Sequence, residues 1–174
     1  MKSHEEHKAK SGGSVNVAVL TISSSRYRRK KEGVEVDDLS GSFAVSALKD
    51  GNHRIHSIDL VDDDIEMIRG SVLKLLQKDG LDGIILVGGT GLAKRDVTVE
   101  AISPLFEKVF DGFGELFRHE SYKRIGTSAY LSRAVAGVIS GKVVYCLPGS
   151  KDAVAVAMKL IIPEIAHTLS IARS

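Results

Sequence analysis

Residues 83–91 read Gly83-Ile84-Ile85-Leu86-Val87-Gly88-Gly89-Thr90-Gly91. Four consecutive aliphatic residues leave no polar face, which is the pattern of a strand covered on both sides, and three of the next four residues are glycine. Working outward, Val15–Ile22 (VNVAVLTI) and Arg54–Val61 read as two further strands. Between them an amphipathic helix runs from Asp38, Ser40 and Gly41 to about Lys49, and Asp50-Gly51-Asn52 ends it. Asp62-Asp63-Asp64 opens another helix, with Ile65, Ile68, Val72, Leu75 and Leu76 near one face and Gly80 as its end. Three strand–helix alternations predict a parallel α/β sheet. Right-handed crossovers then place the loops after Ile22, Val61 and Val87 along one edge.

The second half predicts a change of direction. Val135–Ile139 and Val143–Leu147 are joined only by Ser140-Gly141, a link that allows an antiparallel hairpin alone, so the sheet is mixed. Gly112-Phe113-Gly114-Glu115 precedes a helix, and Thr127–Arg133 gives another helical turn. Asp152–Ile162 is a closing helix that Pro163 kinks or follows with a second segment. Residues 26–37 read as a surface loop and 1–14 as a flexible polar tail, whose His4 and His7 could bind a metal but are read as part of that tail. Residues 15–174 then form one domain. The expected fold class is α/β: three layers, a doubly wound and mostly parallel sheet, and one antiparallel hairpin.

Composition narrows the function. The 174 residues carry 24 Lys and Arg against 22 Asp and Glu, and no Trp. That balance argues against a nucleic-acid-binding protein and against a base-stacking platform. A single cysteine, Cys146, excludes an intrachain disulfide and a multi-cysteine zinc site. No apolar run approaches the roughly 18 residues of a membrane span. A cytoplasmic enzyme or binding protein is the expectation.

Chemistry concentrates at the predicted loop edge. Glycines at 88, 89 and 91 let backbone N–H groups approach an anion, with Lys94 and Arg95 to hold more phosphate charge and Asp96 to bind magnesium. The same glycines also serve a plain tight turn, and spacing does not separate the two uses. The stretch matches neither GxGxxG nor GxxxxGK[ST]. Asp62 stands nearest a strand end and is the favoured carboxylate of its trio, with Asp63 or Asp64 left to cap the helix. Ser23 and Ser24 can donate to a phosphate or simply form a turn. The Arg26–Lys31 cations steer an anion or solvate a loop.

GGTGLAKRDVT (Gly88–Thr98), DGFGELFR (Asp111–Arg118), IGTSAYLSRAVAG (Ile125–Gly137) and LPGS (Leu147–Ser150) together resemble the molybdopterin-binding MoaB/MogA family in order and spacing. TISSSRY (Thr21–Tyr27), DLSG (Asp38–Gly41) and LVDDD (Leu60–Asp64) agree with it. The resemblance implies the molybdopterin-binding fold, assembly as a homotrimer or hexamer, and adenylylation of molybdopterin with ATP and Mg2+. The products would be pyrophosphate and an adenylylated pterin that passes to a molybdate-insertion protein. A non-catalytic binder of molybdopterin or its precursor is the alternative. The required carboxylates, which are also the Mg2+ ligands, would fall on Asp62 and Asp96. The ligand-binding positions would be Ser23, Ser24, Asp38, Ser40, Gly41, Gly88, Gly89, Thr90, Gly91, Arg95, Gly112, Gly114, Glu115, Ser128, Ser132, Arg133, Pro148, Gly149 and Ser150. Two departures stand out. Ser24 replaces an acid found in many members, and Lys151-Asp152 replaces the usual Pro-Gly after PGS.

Overall fold

The computed structural model describes residues 13–174, so the histidines at 4 and 7 and most of the expected tail lie outside the described residues. Six strands form one sheet: β1 (Asn16–Ile22), β2 (Arg54–Val61), β3 (Gly83–Val87), β4 (Lys108–Val109), β5 (Val135–Ile139) and β6 (Lys142–Leu147). Their order is β2-β1-β3-β6-β5-β4. β1 pairs in parallel with β2 and β3, and β3 with β6, whereas β5 runs antiparallel to both of its neighbours. The described residues also form seven α-helices, α1 (Ser24–Lys31), α2 (Leu39–Asp50), α3 (Ile65–Leu76), α4 (Thr98–Ile102), α5 (Asp111–Ile125), α6 (Lys151–Ile161) and α7 (Ile165–Ala172), and two 3-10 helices, Ser103–Leu105 and Gly126–Leu131, the second at the expected helical turn.

Two cores follow from the alternation of side chains along each strand. Val17, Val19, Ile85, Val87, Val143, Tyr145 and Leu147 face α2, α5, α6 and α7, where Leu48, Phe117, Ala157 and Ile165 are fully buried or nearly so. Ala18, Leu20, Ile22, Ile84, Leu86, Val144 and Cys146 face Ile68 and Val72 of α3 and Ala101 and Ile102 of α4. The mixed three-layer α/β fold is therefore the expected one. Cys146 is core, as its strand pattern suggests, and burial pushes its thiol well above the usual range. Among the described residues, no single helix is long and apolar enough to cross a membrane.

Some elements differ from expectation. The predicted loop at 26–37 begins as helix α1, which buries no residue. Its polar sequence has no apolar face to reveal it. It is held instead by the Ser23 side chain, which accepts from the Arg26 N–H, and by four cations in its last turn, where the helix dipole favours them. α5 starts at Asp111, so Gly112-Phe113-Gly114-Glu115 lies inside it. α3 ends at Leu76, before Gly80, which takes φ +71° in the following turn. After α2 the left-handed residue is Asn52 rather than Gly51. The two-residue β4 and five-residue α4 are too short to show a period. At Pro163 a second segment starts, with α6 and α7 meeting at 61°.

The parallel register carries the consequence for function. Ile22 lies opposite Val61, Thr21 opposite Val87, and Val87 opposite Leu147. Four strands thus end together, and the chain leaves β1 toward β2 on one side and returns to β3 on the other. Such a switch point opens a crevice at the carboxyl edge of the sheet.

Candidate functional site

At that edge lies a cavity of about 490 Å³. Its walls come from the segment after β1 (Ile22 to Arg26), the glycine loop after β3 (Gly88 to Gly91), Arg95 and Asp96, Leu131 to Arg133 before β5, and Pro148 and Gly149 after β6. One residue of the loop after β2 joins them, and it is Asp63.

The glycine loop needs its glycines. Gly88 has φ +110° and Gly89 φ +64°, and a Cβ on Gly88 would sit 2.3 Å from the Ile22 carbonyl oxygen. The Gly88 N–H donates to the Leu147 carbonyl at 2.9 Å, which ties the loop to the neighbouring strand. Thr98, fully buried, secures it from behind. Its hydroxyl donates to the Gly88 carbonyl at 2.8 Å and its N–H to the Gly89 carbonyl at 2.9 Å. The loop's first two carbonyls are thereby occupied. The N–H groups of Gly89, Thr90 and Gly91 have no acceptor among the described residues. Thr98 belongs to the motif that suggested the site, but its position in the chain does not reveal this bracing role.

Both carboxylates of the cavity press on this loop. A Cβ on Gly89 would meet Asp63 Oδ1 at 2.9 Å, and one on Gly91 would meet Asp96 Oδ2 at 2.6 Å. The two acids thus flank a tripeptide no more than about 7 Å long. Asp63 Oδ2 accepts from the Ser24 N–H at 2.7 Å and from the Ser24 hydroxyl at 2.9 Å. Asp96 Oδ2 accepts from the Ala93 N–H at 3.1 Å.

Asp62 is placed differently from expectation. It does not line the cavity, and its Oδ1 accepts from the Asp63 N–H at 2.9 Å. Asp64 caps α3 by accepting from Met67 N–H at 2.8 Å. In this three-residue turn, one acid supports the backbone, one faces the cavity and one caps the helix. The acid nearest the strand end is not the one that faces inward.

Other expected positions divide the same way. Ser23, Ser24, Gly88, Gly89, Thr90, Gly91, Arg95, Asp96, Ser132, Arg133, Pro148 and Gly149 are on the wall. Asp38, Ser40 and Gly41 are not; they brace it. Asp38 accepts from the Gly41 N–H at 3.0 Å and from the Thr21 hydroxyl at 2.5 Å, leaving no space for a side chain at 41. Ser40 donates to the Gly149 carbonyl at 2.7 Å. Ser150 caps α6 through the Ala153 N–H, so Lys151-Asp152 simply begins that helix. Gly112, Gly114, Glu115 and Ser128 lie off the wall, with Gly114 packed on the Ala134 carbonyl. Arg133 is ion-paired to Glu100 at 2.6 Å. Ser25 and Arg26 line the cavity without having been singled out as ligands. Their signal was the unrecognised helix α1.

The sheet edge brings together free amides, arginine side chains and two carboxylates, groups of the kinds that bind anions and cations. The family described as "Probable molybdopterin binding domain" matches residues 18–167. The chain belongs to this molybdopterin-binding family. It is 45% identical over 164 residues to the molybdenum cofactor biosynthesis protein B of Bacillus cereus, covering 93% of each chain. It is 43% identical over 155 residues to a Methanocaldococcus jannaschii protein named "Probable molybdopterin adenylyltransferase", covering 89% of this chain and 92% of that one. A crystal structure of a molybdenum cofactor biosynthesis protein B superimposes with a TM-score of 0.83 at 42% identity, covering 92% of this chain and 97% of that one. The family fold is thus shared over nearly the whole described length.

Proposed function

We propose that this protein is a cytoplasmic molybdopterin adenylyltransferase of molybdenum cofactor biosynthesis. The observation that supports this most is the pressing of two carboxylates, Asp63 and Asp96, against one amide-rich loop in a family member's cavity. The expectation for the first carboxylate moves from Asp62 to Asp63 on geometry alone.

In this reading a terminal phosphate oxygen of molybdopterin attacks the α-phosphorus of ATP, and pyrophosphate leaves. Both reactants are anions, so alignment and charge neutralisation are the main tasks. The N–H groups of Gly89, Thr90 and Gly91 donate to non-bridging oxygens, and Thr98 fixes the peptide units of the first two before substrate arrives. Arg95 adds a cation to the same wall. Mg2+ suits the donor set. Among the described residues no three acids, histidines or cysteines are grouped so as to hold a metal by themselves, and one or two carboxylates with substrate phosphates are what this hard ion commonly uses. When bound it would supply charge neutralisation between phosphates, held by Asp63 and Asp96. Ser24 keeps the Asp63 carboxylate oriented through two hydrogen bonds. No side-chain nucleophile is required.

Purified protein given ATP, Mg2+ and molybdopterin should release pyrophosphate in molybdopterin-dependent fashion, measured by a coupled phosphate assay. Tight pterin binding with no pyrophosphate would instead make it a non-catalytic binder.

The proposed assembly is a homotrimer, alone or paired into a hexamer, that hands its product to a molybdate-insertion protein. A groove of about 960 Å³ beside α5 and α7 supports self-association. It is lined by Phe110, Phe113, Leu116, Pro163 and Ile171, and Leu116 and Ile171 are more than half exposed. Exposed apolar side chains gathered in one groove are surface that a second copy of the chain can cover. Light scattering should give three or six times the 18.7 kDa chain mass, and a stable monomer at micromolar concentration would refute the assembly.

A further inference from the structure

Among the described residues, helix α1 is a strongly charged element that the proposed chemistry leaves unused. It carries Arg26, Arg28, Arg29, Lys30 and Lys31 in eight residues, while the whole chain is only +2. The remainder of the chain is therefore net negative, and this helix is a local source of positive potential. No carboxylate lies within ion-pair distance of these five side chains among the described residues. That includes the exposed Glu32, Glu35 and Asp37 just beyond the helix. Arg29 donates only to the Glu35 backbone carbonyl, at 3.4 Å, a partner with no formal charge to offset its own.

The five cations are not equivalent. Arg26 is on the cavity wall. Arg29 and Lys30 follow it by three and four residues and share its face, one turn of about 5.4 Å farther out. Arg28 and Lys31 turn away, and Lys31 lies over the Tyr27 ring with Nζ 5.0 Å from its centroid. A stripe of three unpaired cations thus leads from solvent to the wall that carries Asp63 and the glycine loop.

We infer that Arg26, Arg29 and Lys30 form a cationic ramp that draws phosphorylated ligands into the cavity, with Arg26 receiving a phosphate oxygen at its inner end. The inference rests on the cavity being a phosphate site, as proposed above. The ligand class is an organic polyanion, and either the nucleoside triphosphate or the phosphorylated pterin can use the ramp.

Stopped-flow association with the full chain tests it, using a fluorescent ATP analogue in one arm and molybdopterin, followed by its pterin absorbance, in the other. Wild-type association should slow steeply with salt. R29E/K30E should lower the association rate about 10-fold or more at low ionic strength and flatten its salt dependence. R28E/K31E makes the same charge change on the opposite face and should stay within about 3-fold of wild type. An effect in only one arm identifies which substrate uses the ramp. If the glutamate pair misfolds, R29Q/K30Q provides the reading, with a loss of about 3-fold. Equal slowing by both double variants would reduce the effect to net charge and overturn the ramp. So would wild-type rates in R29E/K30E. If wild type binds neither ligand, the adenylyltransferase reading itself fails, and the ramp with it; that outcome is distinct from binding that ignores α1.

Discussion

Asp63→Asn should lower pyrophosphate release by about 10²–10³-fold, and Asp96→Asn should do the same. Asparagine keeps an oxygen that can accept from the Ser24 N–H and hydroxyl, or from the Ala93 N–H, so each variant should fold. What it loses is the negative charge beside the glycine loop. Asp62→Asn is the informative partner, because the Asp62 carboxylate contacts a neighbouring backbone amide and lies off the cavity wall. Its rate should remain within about 5-fold of wild type, the scale of losing one neutral-to-charged hydrogen-bond difference. Raising Mg2+ should not rescue Asp63→Asn to wild-type rate. An inactive Asp62→Asn beside an active Asp63→Asn would return the catalytic assignment to Asp62 and sink the geometric argument.

The second large effect concerns stability. Gly88→Ala forces a side chain into a backbone conformation of φ +110° and drives its Cβ to 2.3 Å from the Ile22 carbonyl oxygen. Neither partner can yield easily. Ile22 is locked in β1, and the Gly88 N–H is tied to β6 through Leu147. The cost should be about 2–4 kcal/mol from strain and overpacking together. For a chain of this length that lowers the Tm by roughly 5–15 °C, measurable by calorimetry. Gly112→Ala supplies the contrast. Nothing lies within 4 Å of the added Cβ, and the position is exposed in the first turn of α5. It should melt at or slightly above wild type, since alanine is the better helix former. A Gly88→Ala protein melting within about 2 °C of wild type would mean the close approach at Ile22 is easily relieved.

These two experiments touch the parts of the molecule that differ most in how readably the sequence encoded them. The sheet was legible because buried strands announce themselves. The runs at 16–22, 83–87 and 142–147 have almost no polar residue to disturb an apolar pattern, and each is buried nearly throughout. The glycine loop was legible as a loop for the same reason, since it interrupts such a run. Helix α1 was not, because periodicity detects burial and α1 buries nothing. The roles within Asp62-Asp63-Asp64 were also hidden. Chain position ranks them by distance from the strand, but the backbone turn decides which carboxylate rotates inward, and here the middle one does. DLSG illustrates a different limit. A motif can track a binding site because it holds the wall up, as Ser40 does for Gly149, without touching what binds there.

Thr98 gives the glycine loop a property that outlasts any single contact. Water around a triphosphate must turn its dipoles afresh in every reaction, whereas peptide units riveted through their carbonyls to a buried threonine stay aimed. The orienting work is completed when the chain folds, and in the proposed reaction each turnover would inherit it.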